Sequence, residues 1–165
     1  MVDAKIANVP IQPGQKFETD DTDINSKDIP YLQLIGTLIY VSTMTRPDVS
    51  FAVSKLSRYM NCYTRIHWKM AKNILRYLKN TSKFGIIYKF GDTITLTTYT
   101  DSDYAGDELT RKSTTGICCF IGESVVSWLS QRQPYVSLST TESEYGSSNS
   151  GTTESIWLRR FLDEL

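Results

Sequence analysis

Residues 84–130 read FGIIYKFGDTITLTTYTDSDYAGDELTRKSTTGICCFIGESVVSWLS, and this stretch decides the fold. Runs rich in Ile, Val, Thr, Tyr and Phe occupy 84–90, 93–100, 114–121 and 125–130. Between them lie Gly91-Asp92, a polar loop over 102–113, and Gly122-Glu123. Short β-branched and aromatic runs punctuated by glycine–acid turns predict hairpin-connected antiparallel strands.

Outward from this block the period changes to helical. On the N-terminal side, Trp68, Ala71, Leu75 and Leu78 predict a helix over 66–80. Ahead of it, Thr45-Arg46-Pro47-Asp48 reads as a helix start, with Thr45 as N-cap and proline in the first turn. That helix would place Ala52, Leu56, Tyr59 and Met60 on one face. From Tyr31, Leu34, Leu38 and Val41 recur at three- and four-residue steps, with Ile35 and Ile39 beside them. Residues 1–30, with Pro10, Pro13, Pro30 and an acidic stretch over 18–28, read as an extended, irregular leader.

On the C-terminal side, Ser139-Thr140-Thr141-Glu142 matches a capping box and opens a last helix. Its second half is persuasive, with Leu158, Phe161, Leu162 and Leu165 in one apolar stripe. Its first half, over 146–153, strings together weak helix formers, including two glycines at about 1 kcal/mol each relative to alanine. The organisation expected is a leader (1–30), a helical segment (31–80) and an α/β domain (84–165).

At 165 residues with 40% hydrophobic and 22% charged residues, the chain can bury a core, so wholesale disorder is excluded. No apolar run approaches the roughly 18 residues that span a bilayer, so no membrane partner is expected. Three cysteines, Cys62, Cys118 and Cys119, lack metal-ligand spacing and point to a reducing, intracellular setting, cytoplasmic or nuclear. The net charge of zero conceals a sharp division. Residues 1–48 sum to −3, residues 49–91 to +9 without one carboxylate, and residues 92–165 to −6. Such a block suggests a phosphate-facing segment next to one that uses carboxylates.

Asp101 ends a strand pattern, followed by Asp103 and Asp107, and Glu142 and Glu144 open the last helix. Carboxylates from a strand tip and a helix start can hold Mg²⁺, which takes oxygen ligands. The same acids are also ordinary for a solvated loop and a helix N-terminus. Lys69, Lys72, Arg76 and Lys79, at steps of three, four and three, share a helix face opposite the apolar stripe. A basic face of this kind neutralises phosphates without reading sequence. His67, the only histidine, reads as a helix-start residue, since a triad or zinc site would need partners. Trp68, Trp128 and Trp157 sit in apolar patterns and read as core.

The segments YLQLIGTLIYVSTMTRPD (31–48), WKMAKNILRYLKNTSKFGIIY (68–88), YTDSDYAGD, RKSTTG, SWLSQRQPYVSLSTTESEY and IWLRRFLDEL follow one another in order. Together they resemble the end of the reverse transcriptase region and most of the ribonuclease H region of a copia-type LTR-retrotransposon Pol polyprotein. The leader's Asp3-Ala4-Lys5, Val9-Pro10 and Pro13-Gly14-Gln15-Lys16 resemble the linker ahead of it. The resemblance implies a ribonuclease H-like fold: three antiparallel strands, a helix, then further strands and helices. The activity it implies is hydrolysis of the RNA strand of an RNA/DNA hybrid, by water activated between two Mg²⁺ about 4 Å apart. By that resemblance Asp101 and Glu144 are the catalytic, metal-binding acids, with Glu142 the less favoured register. The basic segment implies Lys69, Lys72, Arg76 and Lys79 as contacts to the duplex.

Two departures qualify the expectation. The family places its next catalytic aspartate on a strand after this helix, whereas here the sequence stops at Leu165. The family also continues Glu-Tyr with a helix-favouring run where this chain has Gly146-Ser147-Ser148. The reading is therefore a partial ribonuclease H-like domain preceded by a helical segment, inactive alone, with Mg²⁺ weakly bound or absent. The alternative is a non-catalytic nucleic-acid-binding or vestigial element remnant. RNA/DNA hybrid or another duplex is the expected partner, and an uncovered sheet edge favours self-association.

Overall fold

The computed structural model describes residues 5–12, 14–15, 17, 29–89, 91, 94–107 and 109–164. The acidic stretch 18–28 and Leu165 lie outside the described residues. Among the described residues the architecture is mixed α/β, with four α-helices and a three-stranded antiparallel sheet. Two compact units divide the chain, residues 1–85 and residues 86–165.

The first unit holds α1 (Tyr31–Met44), a 3₁₀ turn (Pro47–Val49), α2 (Ser50–Ser57) and α3 (Arg65–Asn80). Its core is apolar and aromatic, with Ile35, Leu38, Val49, Val53, Leu56 and Ile74 fully buried. The Tyr31 hydroxyl donates to Leu56 O at 2.8 Å, and its ring stacks on Tyr63 at 4.7 Å. Burial pushes the Tyr31 phenol far up, so it remains a donor. This anchor rotates the inward face of α1 to Tyr31, Ile35, Leu38 and Ser42, leaving Ile39 exposed. The leader contributes to the same core through Ala7 and Phe17. Asn73 Nδ2 donates to Val9 O and Pro10 O, and Asn80 Nδ2 to Ala7 O, fastening the leader along α3.

Thr45 does not cap α2. Its N–H bonds Val41 O and closes α1, and the 3₁₀ turn follows. Arg46 instead turns inward and grips Asp48 through two hydrogen bonds of 2.9 and 2.6 Å. It also donates to Thr81 O and Thr81 Oγ1, while the Tyr77 hydroxyl donates to Asp48 Oδ2 at 2.8 Å. Burial alone would raise the Asp48 carboxyl, but the hydrogen bonds from Arg46 and Tyr77 outweigh it and hold the group below its ordinary value. The cluster ties the α1–α2 junction to the end of α3. At the other end of α3, Thr64 Oγ1 accepts from Ile66 N, and His67 Nδ1 accepts from Thr64 N. His67 is buried and stacked on Tyr59 at 4.1 Å, the helix-start role expected for it.

The second unit holds β1 (Leu96–Asp103), β2 (Thr114–Ile121), β3 (Ser124–Arg132) and α4 (Thr140–Asp163), with strand order β1-β2-β3. Gly122 at φ +60° makes the two-residue turn between β2 and β3, a backbone conformation that L side chains rarely adopt. The expected first strand at 84–90 does not form among its described residues, 84–89. Ile87 O accepts from the Ser124 hydroxyl, and Tyr88 OH donates to Val125 O. Side chains rather than a backbone ladder make these bonds, and Phe84, Ile87 and Tyr88 stay exposed.

α4 runs unbroken through the stretch that propensity disfavours. Ser143, Ser147 and Gly151 are its buried inner face. A Cβ on Gly151 would lie 2.2 Å from Thr100 Cγ2, so the helix rests on β1 at a distance that only glycine permits. Ser150, Thr152, Thr153 and Ser155 each bond the carbonyl four residues back, which satisfies the hydroxyls within the helix.

Candidate functional site

Strand alternation sorts the side chains of β1. Thr98 and Thr100 face α4: the Ser155 hydroxyl donates to Thr98 Oγ1 at 2.7 Å, and Thr100 lies against Gly151. Asp101 and Asp103 therefore leave the strand on the other pleat, and both are exposed. Glu144 stands in the second turn of α4, exposed, one turn before Ser148, which lines a groove together with Thr98 and Thr100. Ser102 pairs with Thr115, whose hydroxyl meets Ser147 Oγ at 3.0 Å, three residues after Glu144. The end of β1 and the start of α4 thus share one corner of the sheet. Asp101 and Glu144 are brought to that corner from different sides of the strand.

The other acids have structural partners. Asp103 packs over Gly106, where any Cβ would collide with the carboxylate. Asp107 is buried and organises the β1–β2 loop, accepting from Thr110 N at 3.2 Å and Arg132 Nη1 at 2.7 Å. Glu142 accepts from Leu138 N at 2.6 Å, and its own N–H donates to Ser139 Oγ, so it serves the helix start. Among the described residues no group of three or more His, Cys, Asp or Glu side chains gathers. The corner carries two carboxylates on different sides of β1, oxygen donors of the kind that Mg²⁺ takes.

The sequence did not flag Gln133. Its buried amide donates to Thr115 Oγ1 at 3.1 Å and Ser143 O at 3.0 Å, and its carbonyl accepts from Ser137 Oγ. This joins β2, the turn after β3 and α4 just behind the corner. A glutamine in a loop carries no periodic signal, so only the fold reveals it.

In the first unit, α3 turns His67, Met70, Ala71, Ile74 and Tyr77 inward. On its other side Lys69 and Lys79 are exposed, and Lys72 and Arg76 half-buried. Lys72 Nζ lies 5.4 Å from the Trp68 ring centre, an arrangement that holds the cation along the helix. Cys118 and Cys119 point to opposite faces of β2. Burial raises both thiols above their ordinary value. Trp157 departs from its expected core position: it is 57% exposed and stacks on Phe161 at 5.7 Å. No described helix is long and apolar enough to cross a membrane.

A mixed α/β chain with exposed acids at a strand–helix corner and a basic helix matches no family model and no solved structure. Its likeness to curated proteins is extensive. It is 37% identical, over all 165 residues, to the retrovirus-related Pol polyprotein from transposon RE1 of Arabidopsis thaliana. It is 42% identical over 141 residues to the corresponding polyprotein from transposon TNT 1-94 of Nicotiana tabacum. These matches cover 11% and 10% of the two polyproteins, so the chain spans about a tenth of their length. It is also 39% identical over 132 residues to secreted RxLR effector protein 161 of Plasmopara viticola, covering 93% of that protein. The chain belongs to the copia-type retrotransposon Pol polyprotein family.

Proposed function

We propose that this chain is a ribonuclease H-like stretch of a copia-type Pol polyprotein, which engages RNA/DNA hybrid and does not cleave it unaided. The observation that carries the reading is that the end of β1, with Asp101, and the start of α4, with Glu144, share one corner of the sheet. Three antiparallel strands followed by a helix on one sheet face also agree with that assignment. Asp101 and Glu144 would hold Mg²⁺, which when bound supplies Lewis acidity to a phosphate oxygen or a water. Asp101 and Glu144 would each offer a carboxylate from its own side of the end of β1, and the Gln133 network keeps the start of α4 in place behind Glu144. Two divalent ions held close together repel strongly, and offsetting this takes several carboxylates in fixed geometry. Two acids suit a single ion.

The Lys69, Lys72, Arg76 and Lys79 face of α3 supports duplex binding through phosphates. Neutralising about four phosphates gives a log–log salt slope near −3 to −4. The test measures hybrid binding and cleavage separately. The variant Lys69→Ala, Lys72→Ala, Arg76→Ala, Lys79→Ala should lose most binding, and unchanged binding would overturn the surface. Wild-type protein should leave labelled hybrid intact in Mg²⁺ or Mn²⁺. Cleavage that disappears in Asp101→Asn would show that the chain reaches a complete site.

A further inference from the structure

We infer that the leader is a strap that regulates the phosphate face of α3: docked, it withholds Arg76 Nε and two asparagine amides from a bound duplex. This rests on the reading of α3 as the duplex contact. Asn73, Arg76 and Asn80 stand three and four residues apart, so they form one stripe of the helix. The leader is bonded to both ends of that stripe. Asn73 Nδ2 donates to Val9 O at 3.1 Å and Pro10 O at 3.0 Å, and Asn80 Nδ2 to Ala7 O at 3.4 Å. Seven helical residues rise about 10 Å. The three steps from Ala7 to Pro10 span at most about 10–11 Å when extended. The segment has little slack with which to bow away, so it passes beside Arg76. Ala7 and Ile11 pack into the core on either side of these bonds and hold it there.

Arg76 also belongs to the basic face, four residues after Lys72 and three before Lys79. It is half-buried, and its Nε is enclosed with no hydrogen-bond partner among the described residues. A buried N–H of a charged group is costly without an acceptor. A phosphate oxygen suits it, because a guanidinium offering Nε and Nη together grips phosphate as a fork, where a lysine is a point charge. With the leader docked, the Nε side of that fork is closed. Moving the leader aside opens it and frees both asparagine amides, at the cost of three hydrogen bonds and the exposure of Ala7 and Ile11. A duplex that gains these donors binds the open form better than the docked one, the differential affinity on which a switch depends.

The test titrates a short RNA/DNA hybrid into the full chain at fixed salt. Ala7→Gln, confirmed folded by circular dichroism, sets a polar side chain where the leader buries a methyl group, and should raise affinity about fivefold. Asn73→Ala cuts two of the three bonds and leaves the core intact, so it should give a smaller gain in the same direction. Arg76→Lys keeps the charge but has no Nε–H. It should change wild-type affinity little and abolish the gain in Ala7→Gln. Hybrid bound by Ala7→Gln and Asn73→Ala no more tightly than by wild type overturns the strap and leaves the reading of α3 standing. So does a gain that survives Arg76→Lys. Absence of binding by wild type and both variants overturns the reading of α3, and the strap with it.

Discussion

The two units are held together by different means. The first closes on large side chains: Tyr31, Ile35, Leu38, Leu56 and Ile74 are fully buried, and an Arg46–Asp48–Tyr77–Thr81 cluster fastens one end. In the second, the buried apolar cluster among the described residues is only Ile117, Cys119 and Leu158. The rest of its seam is hydroxyl and glycine: Ser143, Ser147, Gly151, Thr115 and the Gln133 amide. Burying apolar area stabilises at about 25 cal/mol per Å², which favours the first unit. The second depends on close approach and on hydrogen bonds being complete, each worth about 1 kcal/mol. The first unit should tolerate changes of shape better, and the second should suffer both from added bulk and from a lost hydroxyl.

The largest effect should come from Arg46→Ala, read by residue-resolved native-state hydrogen exchange. Removing the buried guanidinium takes away two bonds to the partly exposed Asp48 and two to Thr81, and should cost the first unit about 2–3 kcal/mol. Amides of β1–β3 should be unmoved. A shared loss across both units would break the division between them.

Gly151→Leu comes next. The side chain must displace Thr100 or lift α4 from β1, so the second unit should lose about 2 kcal/mol in urea unfolding followed through β-sheet signals. Stability equal to wild type would mean the close approach is not what holds this layer. Ser147→Ala should cost less, about 1 kcal/mol, because it removes a hydroxyl that bonds the Thr115 hydroxyl and accepts from the Gln133 amide. An increase in stability there would show that the hydroxyl seam is a burden rather than a fastening.

The smallest effect separates the units by pH. Burial lowers the His67 pKa below its ordinary 6.5, so the folded state prefers neutral imidazole. That contribution is present above about 6.5 and is lost as pH falls through that value toward the lower folded pKa. Asp48 adds a second loss at lower pH: its contribution is complete above the ordinary 3.8 and disappears as pH falls through its depressed folded value. In the second unit, Lys89 pulls Glu123 down, but that pair is exposed and contributes little. Amides of α3 should therefore lose protection between pH 7 and 5 before those of β2. The opposite order would contradict the assignment of acid sensitivity to the first unit.

Periodicity made the helices near 31, 50 and 66 and three of the four expected strands legible. Thr114–Ile121 matches the reading to the residue, because alternation and flanking turns act locally. The stretch 84–89 misled because its Ile and Tyr content suits a strand, whereas strand status depends on a backbone partner that sequence does not name. Thr45-Arg46-Pro47-Asp48 misled in another way. Its residue types fit a cap, but its arginine found a carboxylate two residues on and a carbonyl thirty-five residues away.

Of the candidate site, the residue types and spacing were visible: acids at a strand end and a helix start, and four cations at helical steps. Their placement at one corner was not, since Asp101 and Glu144 are forty-three positions apart and the Thr115–Ser147 bond is what holds α4 to the sheet there. By itself, the sequence determined the order of elements, the basic face of α3 and the family. The tertiary structure alone decided that a serine- and glycine-rich segment would be a continuous helix. Helix propensity sums over neighbours in the chain and disfavours that segment. Packing against Thr98 and Thr100 rewards small side chains there, and the reward exists only once β1 is in place.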